Sequence, residues 1–258
     1  MKPFLLLAIR AEDAAADNEY ESFLACTGLS ERDLRRHRLE QQALGRLCLR
    51  DWSGIFLGGG PFNASDPEEL KSPAQRRAES DLRELLGRVT SADFPFLGAC
   101  YGTGILGSHQ GAVVGRRYAE PVGAVRVTLT RAGRQDPLLG GLPAIFDAFT
   151  GHKEAVSVLP RHAVLLARSP ACPIQAFRIG ANVYATQFHP ELDAAGLCTR
   201  IDVYKHAGYF EPGQAEALKA QAQRSNVTWP PTILRQFARR YATSGTTRDA
   251  GTAPAKQR

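Results

Sequence analysis

The chain has 258 residues, 43% of them hydrophobic and 22% charged, with a net charge of +6, which is the balance of a folded globular protein. No apolar run approaches the roughly 20 residues that span a bilayer. The five cysteines, Cys26, Cys48, Cys100, Cys172 and Cys198, are odd in number, widely spaced and without a CxxC pair, so neither a disulfide framework nor a zinc site is indicated. The arginines at 35, 36 and 38 could form a polyanion patch, but such runs are more often solvated faces. No zinc-finger or RNP-like aromatic motif accompanies them, so the expectation is no nucleic-acid partner. The opening FLLLA is too short for the apolar region of a signal peptide and runs into Arg10, Glu12 and Asp13; it predicts a first buried strand and a cytoplasmic protein with no membrane partner.

In chain order, Phe4 to Ile9 reads as strand and Asn18 to Leu29 as helix, with Tyr20, Phe23 and Leu24 at helical spacing. The residues from Leu34 to Leu49 fit no clean period. Ile55 to Leu57 is a short strand ending in Gly58-Gly59-Gly60-Pro61. Pro67 to Val89 predicts a long helix, with Leu82, Leu85, Leu86 and Val89 as its apolar stripe and Ser65 and Asp66 as candidate caps. Phe94 to Ala99 is the next strand, and the strand–helix alternation predicts a parallel sheet covered on both faces. After Gly111 the pattern changes to half-exposed alternation: Val113-Val114, Val125 to Thr130, Val164 to Ala167, Ile174 to Ile179 and Val183 to Phe188, with turns at Ala132-Gly133, Gly140 to Pro143 and Asn182. Glu191 to Lys205 returns to helix. Two more helical segments follow, split by Trp229-Pro230-Pro231, the second carrying Ile233, Leu234, Phe237 and Tyr241. The predicted organisation is a domain over 1–210, a helical extension over 211–243 and a disordered tail over 244–258.

The segment FPFLGACYGTGILG places Cys100 between a strand and a helix, flanked by Gly98 and Gly102 as G-x-C-x-G. Small neighbours permit the sharp turn of a nucleophile elbow at the carboxyl end of a strand, where open α/β sheets carry their chemistry. A helix N-terminus favours thiolate, and the amide of Tyr101 would face an oxyanion. The alternative is a small buried packing residue. Of six histidines, His189 in VYATQFHPEL is the best placed to act as base, leaving a buried strand with Glu191 two residues on to orient it. His-x-Glu alone is weak, and a cap or surface pair would also fit. In IFLGGGPFN, the amide of Gly59 or Gly60 could supply a second oxyanion donor; no GK[ST] or G-x-G-x-x-G follows, so neither a P-loop nor a dinucleotide site is present.

GGGPFN, GACYG and QFHPE, in that order and at these separations, resemble the class I (triad-type) glutamine amidotransferases, most closely the glutaminase domain of GMP synthetase and its free-standing relatives. The likeness runs from about Phe4 to about Lys205, and FTGHKEAVSVLP resembles the family's segment that lines the glutamine pocket. The resemblance implies a flavodoxin-like, mostly parallel open sheet with helices on both faces and a small antiparallel strand set. It implies that Cys100 attacks the side-chain amide of glutamine, that His189 protonates departing ammonia and activates water, and that Glu191 orients His189. It places the oxyanion against the amides of Gly60 and Tyr101, and Gly59, Pro61, Gly104, His152, Lys153 and Glu154 around the substrate. No metal or other cofactor is implied.

Two departures stand out. Glycine at 104 replaces a glutamine that contacts substrate in the family, and Lys153-Glu154 replaces a small-then-acidic or aromatic pair. They leave open a γ-glutamyl hydrolase acting on another γ-glutamyl amide, or a non-catalytic partner-binding scaffold. No ATP-pyrophosphatase sequence follows residue 205, so the expectation is either that a separate ATP-dependent synthetase receives the ammonia or that the enzyme works alone as an amide hydrolase.

Overall fold

The computed structural model describes residues 1–242; the predicted tail over 244–258 lies outside the described residues. The elements in chain order are β1 (Phe4–Ala8), α1 (Asp13–Thr27), β2 (Leu34–Arg38), β3 (Gly54–Leu57), α2 (Pro73–Ser91), β4 (Phe96–Ala99), α3 (Tyr101–His109), β5 (Val113–Gly115), β6 (Glu120–Leu129), α4 (Arg131–Gln135), β7 (Ile145–His152), β8 (Ala155–Val158), β9 (Val164–Arg168), β10 (Ala176–Ile179), β11 (Val183–Thr186), α5 (Ala194–Val203), α6 (Ala215–Arg224) and α7 (Pro231–Tyr241). Nine strands form one sheet in the order β2-β1-β3-β4-β11-β10-β9-β6-β7, and β5 pairs with β8 as a separate ribbon.

The half from β2 to β11 is parallel, and the half from β11 to β7 is antiparallel. Helices cover both faces, which is why β1 is an unbroken apolar run. Its residues divide by the two-residue repeat of a strand: Phe4 and Leu6 join Phe23 of α1 and Ile233, Leu234 and Phe237 of α7 on one face. Leu5 and Leu7 join Leu82, Leu85 and Leu86 of α2 and Ile105 and Leu106 of α3 on the other. The covering of both faces is what the alternation of elements predicted, and the whole is the flavodoxin-like α/β arrangement that the resemblance implied. Among the described residues no helix is long and apolar enough to cross a membrane.

Two departures from the sequence reading have local causes. The helix expected from Pro67 starts instead at Pro73, because Ser72 caps it by accepting from the Gln75 N–H and Pro73 suits a first helical position. Ser65 and Asp66, the expected caps, serve elsewhere: the Ser65 N–H donates to Glu154 and Asp66 takes Arg116. The aperiodic LRRHR is edge strand β2, whose Arg36 and Arg38 are held by Asp17 and by Asp13 and Glu40. Local ion pairs, not alternation, carry that strand.

Phe237 is buried against Phe4 and Phe56, with ring centroids 6.3 and 4.9 Å away. Truncating it leaves a cavity where α7 meets β1 and β3. Phe237→Ala is expected to cost about 3–5 kcal/mol, read as a lowered urea midpoint; a shift equivalent to less than about 1 kcal/mol would mean that α7 is not part of the core.

Candidate active site

Cys100 stands between β4 and α3 with φ 52° and ψ −97°, a conformation that a non-glycine residue adopts only when its surroundings force it. The force comes from both sides. Its N–H donates to the Thr186 carbonyl at 2.8 Å, continuing the parallel pairing of β4 with β11. A Cβ on Gly98 would lie 3.0 Å from the Gly102 backbone, and one on Gly102 would lie 3.3 Å from the Leu57 carbonyl, so only glycines allow the turn to close. The Cys100 side chain is partly exposed, whereas Cys172 is buried.

The same strand pairing ends β11 beside β4 and releases Gln187, Phe188 and His189 at the same edge of the sheet. The His189 N–H donates to the Phe149 carbonyl at 2.9 Å, which fixes the backbone. Its Nδ1 lies 2.7 Å from Glu191 Oε1. Because a carboxylate only accepts, Nδ1 carries the proton and Nε2 is left as the basic nitrogen. A Cβ built on Gly59 would lie 2.5 Å from His189 Cε1, 3.2 Å from Cys100 Cβ and 3.2 Å from Arg10 Nη2, so that one glycine separates the thiol, the imidazole and a guanidinium. An alanine there would push His189 out of place.

Three residues that the sequence reading did not select complete the site. Arg200 of α5 donates from Nη1 to Glu191 Oε1 at 2.9 Å. Arg10, at the end of β1, donates from Nε to Glu19 Oε1 at 2.9 Å and from Nη1 to the Tyr204 hydroxyl at 3.2 Å. Glu19 lies 3.7 Å from Arg200 Nη2. All of Arg10, Glu19, His189, Glu191 and Arg200 are buried. A signal was present in the sequence: Glu19 falls between Ala15 and Phe23 at four-residue spacing, on the buried stripe of α1. A charge on such a stripe needs a buried partner.

Burial pushes the Cys100 thiol up to about 12; Arg10 and Arg200 pull it down, while Glu191 and Glu154 push it further up. Burial thus opposes the thiolate that the helix N-terminus was expected to favour. Burial also lowers the pKa of His189, aided by Arg200 and Arg10 and opposed by Glu191. Glu191 would be raised by burial, but His189 and Arg200 outweigh it and hold the carboxyl well below the usual range. The resting pair is thus a neutral thiol beside a neutral imidazole, with Glu191 ionised.

Two small cavities meet at Cys100. One, of about 50 Å³, is bordered by Cys100, His189, Gly60 and α5; the other, of about 10 Å³, is bordered by Cys100, Gly60, Phe62, Glu154 and Gln187. A third, of about 330 Å³, lies beyond Lys153. Tyr209 borders all three. Its segment is tied down by Lys153, whose Nζ donates to the Ala207 carbonyl at 2.7 Å and lies 4.3 Å from the centre of the Tyr209 ring.

Of the residues expected around a substrate, Glu154, His152 and Lys153 border the smaller cavity. Gly59, Pro61 and Gly104 border neither cavity at Cys100. The Glu154 carboxylate accepts from the N–H groups of Ala64 and Ser65, each at 2.8 Å. It fills the place that a side chain at 104 would take, since a Cβ on Gly104 would collide with Glu154 Oε1. The glycine at 104 thus makes room for the acid at 154. His152 is buried, with Nδ1 2.8 Å from the Glu154 carbonyl and Nε2 2.9 Å from Glu120 Oε2. Cys172 lies close enough to join His152 and Glu120 around an ion, but both ring nitrogens of His152 already have protein partners, and the group anchors the backbone of Glu154. As the first residue of α3, Tyr101 has an N–H with no intrahelical acceptor. Gly60 lies against Ile9, where a Cβ would come within 2.5 Å of Cγ1.

The structure thus brings a strained cysteine at a strand–helix turn next to a histidine–glutamate pair at one edge of a doubly covered sheet. A family model described as glutamine amidotransferase class-I matches residues 27–196, and the chain belongs to that family. It is 37% identical over 150 residues to the glutamine-hydrolyzing GMP synthase of Aeropyrum pernix, a match covering 58% of this chain and 26% of that protein. It is 28% identical over 144 residues to one of the subunits of the glutamine-hydrolyzing GMP synthase of Methanocaldococcus jannaschii, covering 55% of this chain and 66% of that one. The chain thus spans about a quarter of the Aeropyrum protein and just under two thirds of the Methanocaldococcus one. A crystal structure of a glutamine amidotransferase from Thermotoga maritima superposes with a TM-score of 0.74 at 22% identity, covering 95% of this chain and all of that one. One from Methylobacillus flagellatus gives 0.75 at 19% identity, covering 97% and 100%. At these identities the two structures establish the fold.

Glu191→Gln keeps the shape of the side chain but leaves Arg200 facing a neutral partner. At pH 7 it is expected to lower stability by about 3 kcal/mol, the scale of breaking a buried pair. The native carboxyl titrates below its unfolded value of about 4.3, so this contribution is complete above that pH and is lost as the pH falls towards the lowered native value. The gap between urea melts of the two proteins should therefore begin to narrow below about pH 4 and keep narrowing as the pH falls further. A gap that widens in acid would contradict the assignment.

Proposed function

We propose that this protein hydrolyses the side-chain amide of glutamine through a thioester on Cys100, releasing glutamate and ammonia for a separate acceptor enzyme. The observation that carries this reading is the strained backbone of Cys100 beside His189, whose Nδ1 is committed to Glu191. With both partners neutral at rest, Nε2 takes the thiol proton as the sulfur attacks the amide carbon. Charge then develops on the amide oxygen, against the N–H groups of Tyr101 and Gly60. The imidazolium is stabilised by Glu191 and returns its proton to the departing nitrogen. Water, activated by the same nitrogen, opens the thioester.

The cavity beside Glu154 is too small to hold a glutamyl group while Tyr209 is in place. Displacing that ring joins it to the cleft beyond Lys153, and the Glu154 carboxylate then faces the ammonium end of an amino acid. Substrate entry in this reading requires Tyr209 to move. The likeness to a single subunit of a GMP synthase, as in Methanocaldococcus, supports a partner of the synthetase kind. The acceptor in this reading is an ATP-dependent ligase on a separate chain.

Incubation with glutamine should release ammonia and glutamate in equal amounts. Cys100→Ala should reduce the rate by about 10³-fold or more, and His189→Ala comparably, because residues of such a unit fail together. Retention of more than a tenth of the rate by Cys100→Ala would overturn the proposal.

A further inference from the structure

Cys100 lies at the junction of two cavities that differ in chemistry. The one beside Glu154 is polar, as an amino acid's charged end requires. The other holds His189 and Thr150, and the larger part of its lining is apolar: Val122 of β6, Leu192, Leu197 and Ile201 around α5, and Phe210. Of its cationic groups, Arg200 donates to Glu191 and lies 3.7 Å from Glu19, with no hydrogen-bond partner for Nε or Nη2. Arg10 Nη2 lies at the Cys100 end, within 3.2 Å of the Cβ position at Gly59 described above.

The side on which His189 stands is the side on which the leaving nitrogen must stand, since that nitrogen takes its proton from Nε2. A cavity of about 50 Å³ exceeds the ~10–15 Å³ that a single water-sized molecule such as ammonia needs. The surplus has room for roughly two or three more atoms. Ammonia gains nothing from aliphatic walls, because it is polar and would seek acceptors. A short alkyl group on the nitrogen would be removed from water there.

We propose that this cavity is a leaving-group pocket, and that the site accepts γ-glutamyl amides carrying a short apolar substituent on the amide nitrogen. The inference rests on the hydrolase reading above and names its substrate class. Cys100 Sγ forms a bond to the γ-carbonyl carbon, and the carbon–nitrogen bond breaks. The thiol proton, carried by His189 Nε2, passes to the nitrogen, so a neutral primary alkylamine leaves in place of ammonia. Water then cleaves the thioester to glutamate and restores the thiol, with no further reactant consumed.

The test measures kcat/KM of the full chain for glutamine and for γ-glutamylethylamide, following glutamate release. The ethylamide should reach at least one tenth of the value for glutamine. Leu197→Phe, which fills the cavity, should lower the ratio of ethylamide to glutamine at least tenfold. Val122→Leu, a smaller change on a half-buried strand position, serves the same purpose if the first variant does not fold. Turnover of glutamine with the ethylamide below one tenth, or a ratio unmoved by filling the cavity, overturns this inference and leaves the glutaminase reading standing. Turnover of neither amide overturns both.

Discussion

The chemistry proposed for this protein depends on the parallel pairing of β4 with β11. These strands are far apart in the chain, yet their register, Ala99 opposite Thr186, ends both at the same edge of the sheet. The hydrogen bond from Cys100 N–H to the Thr186 carbonyl extends the ladder by one residue, into a backbone conformation that the cysteine would not otherwise hold. A shift of one residue in that register would turn each side chain of β11 to the opposite face of the sheet and carry His189 away from the thiol. Sheet order thus creates the site, and the glycines at 59, 98 and 102 allow its parts to approach.

The second determinant is charge. Burying two carboxylates and two guanidiniums behind a histidine is costly unless each is paired, and here they are linked: Glu191 to Arg200, Arg200 to Glu19, Glu19 to Arg10. The chain of charges ties three elements together: β1 through Arg10, α1 through Glu19 and α5 through Arg200. It fixes the tautomer of His189 by making Glu191 a firm acceptor. It also leaves Arg10 with one nitrogen beside the thiol, where its positive charge favours the thiolate as the proton moves to His189.

Much of this was legible in the sequence, and what was not has physical reasons. Strands buried on both faces announce themselves as unbroken apolar runs, so β1, β3 and β4 of the parallel half could be read directly. Cys100, His189 and Glu191 stood out because glycines and proline punctuate the strand ends that carry them. Edge strand β2 was illegible because arginines held by Asp13, Asp17 and Glu40 take the place of an alternating pattern. Arg10, Glu19 and Arg200 were missed because each is an ordinary charged residue until its partners, nearly two hundred positions apart at the extremes, are brought together. The pairing of Gly104 with Glu154 was visible only as two separate oddities. Its logic is steric, and it emerges only when the chain is folded.

A covalent glutamyl–enzyme intermediate tests the central claim most directly. Protein mixed with glutamine, quenched in acid within the first turnovers and digested, should yield the peptide containing Cys100 with the added mass of one γ-glutamyl group, labile to hydroxylamine as a thioester is. Glutamate formation with that peptide unmodified, or with the label on Cys26, Cys48, Cys172 or Cys198, would contradict the account.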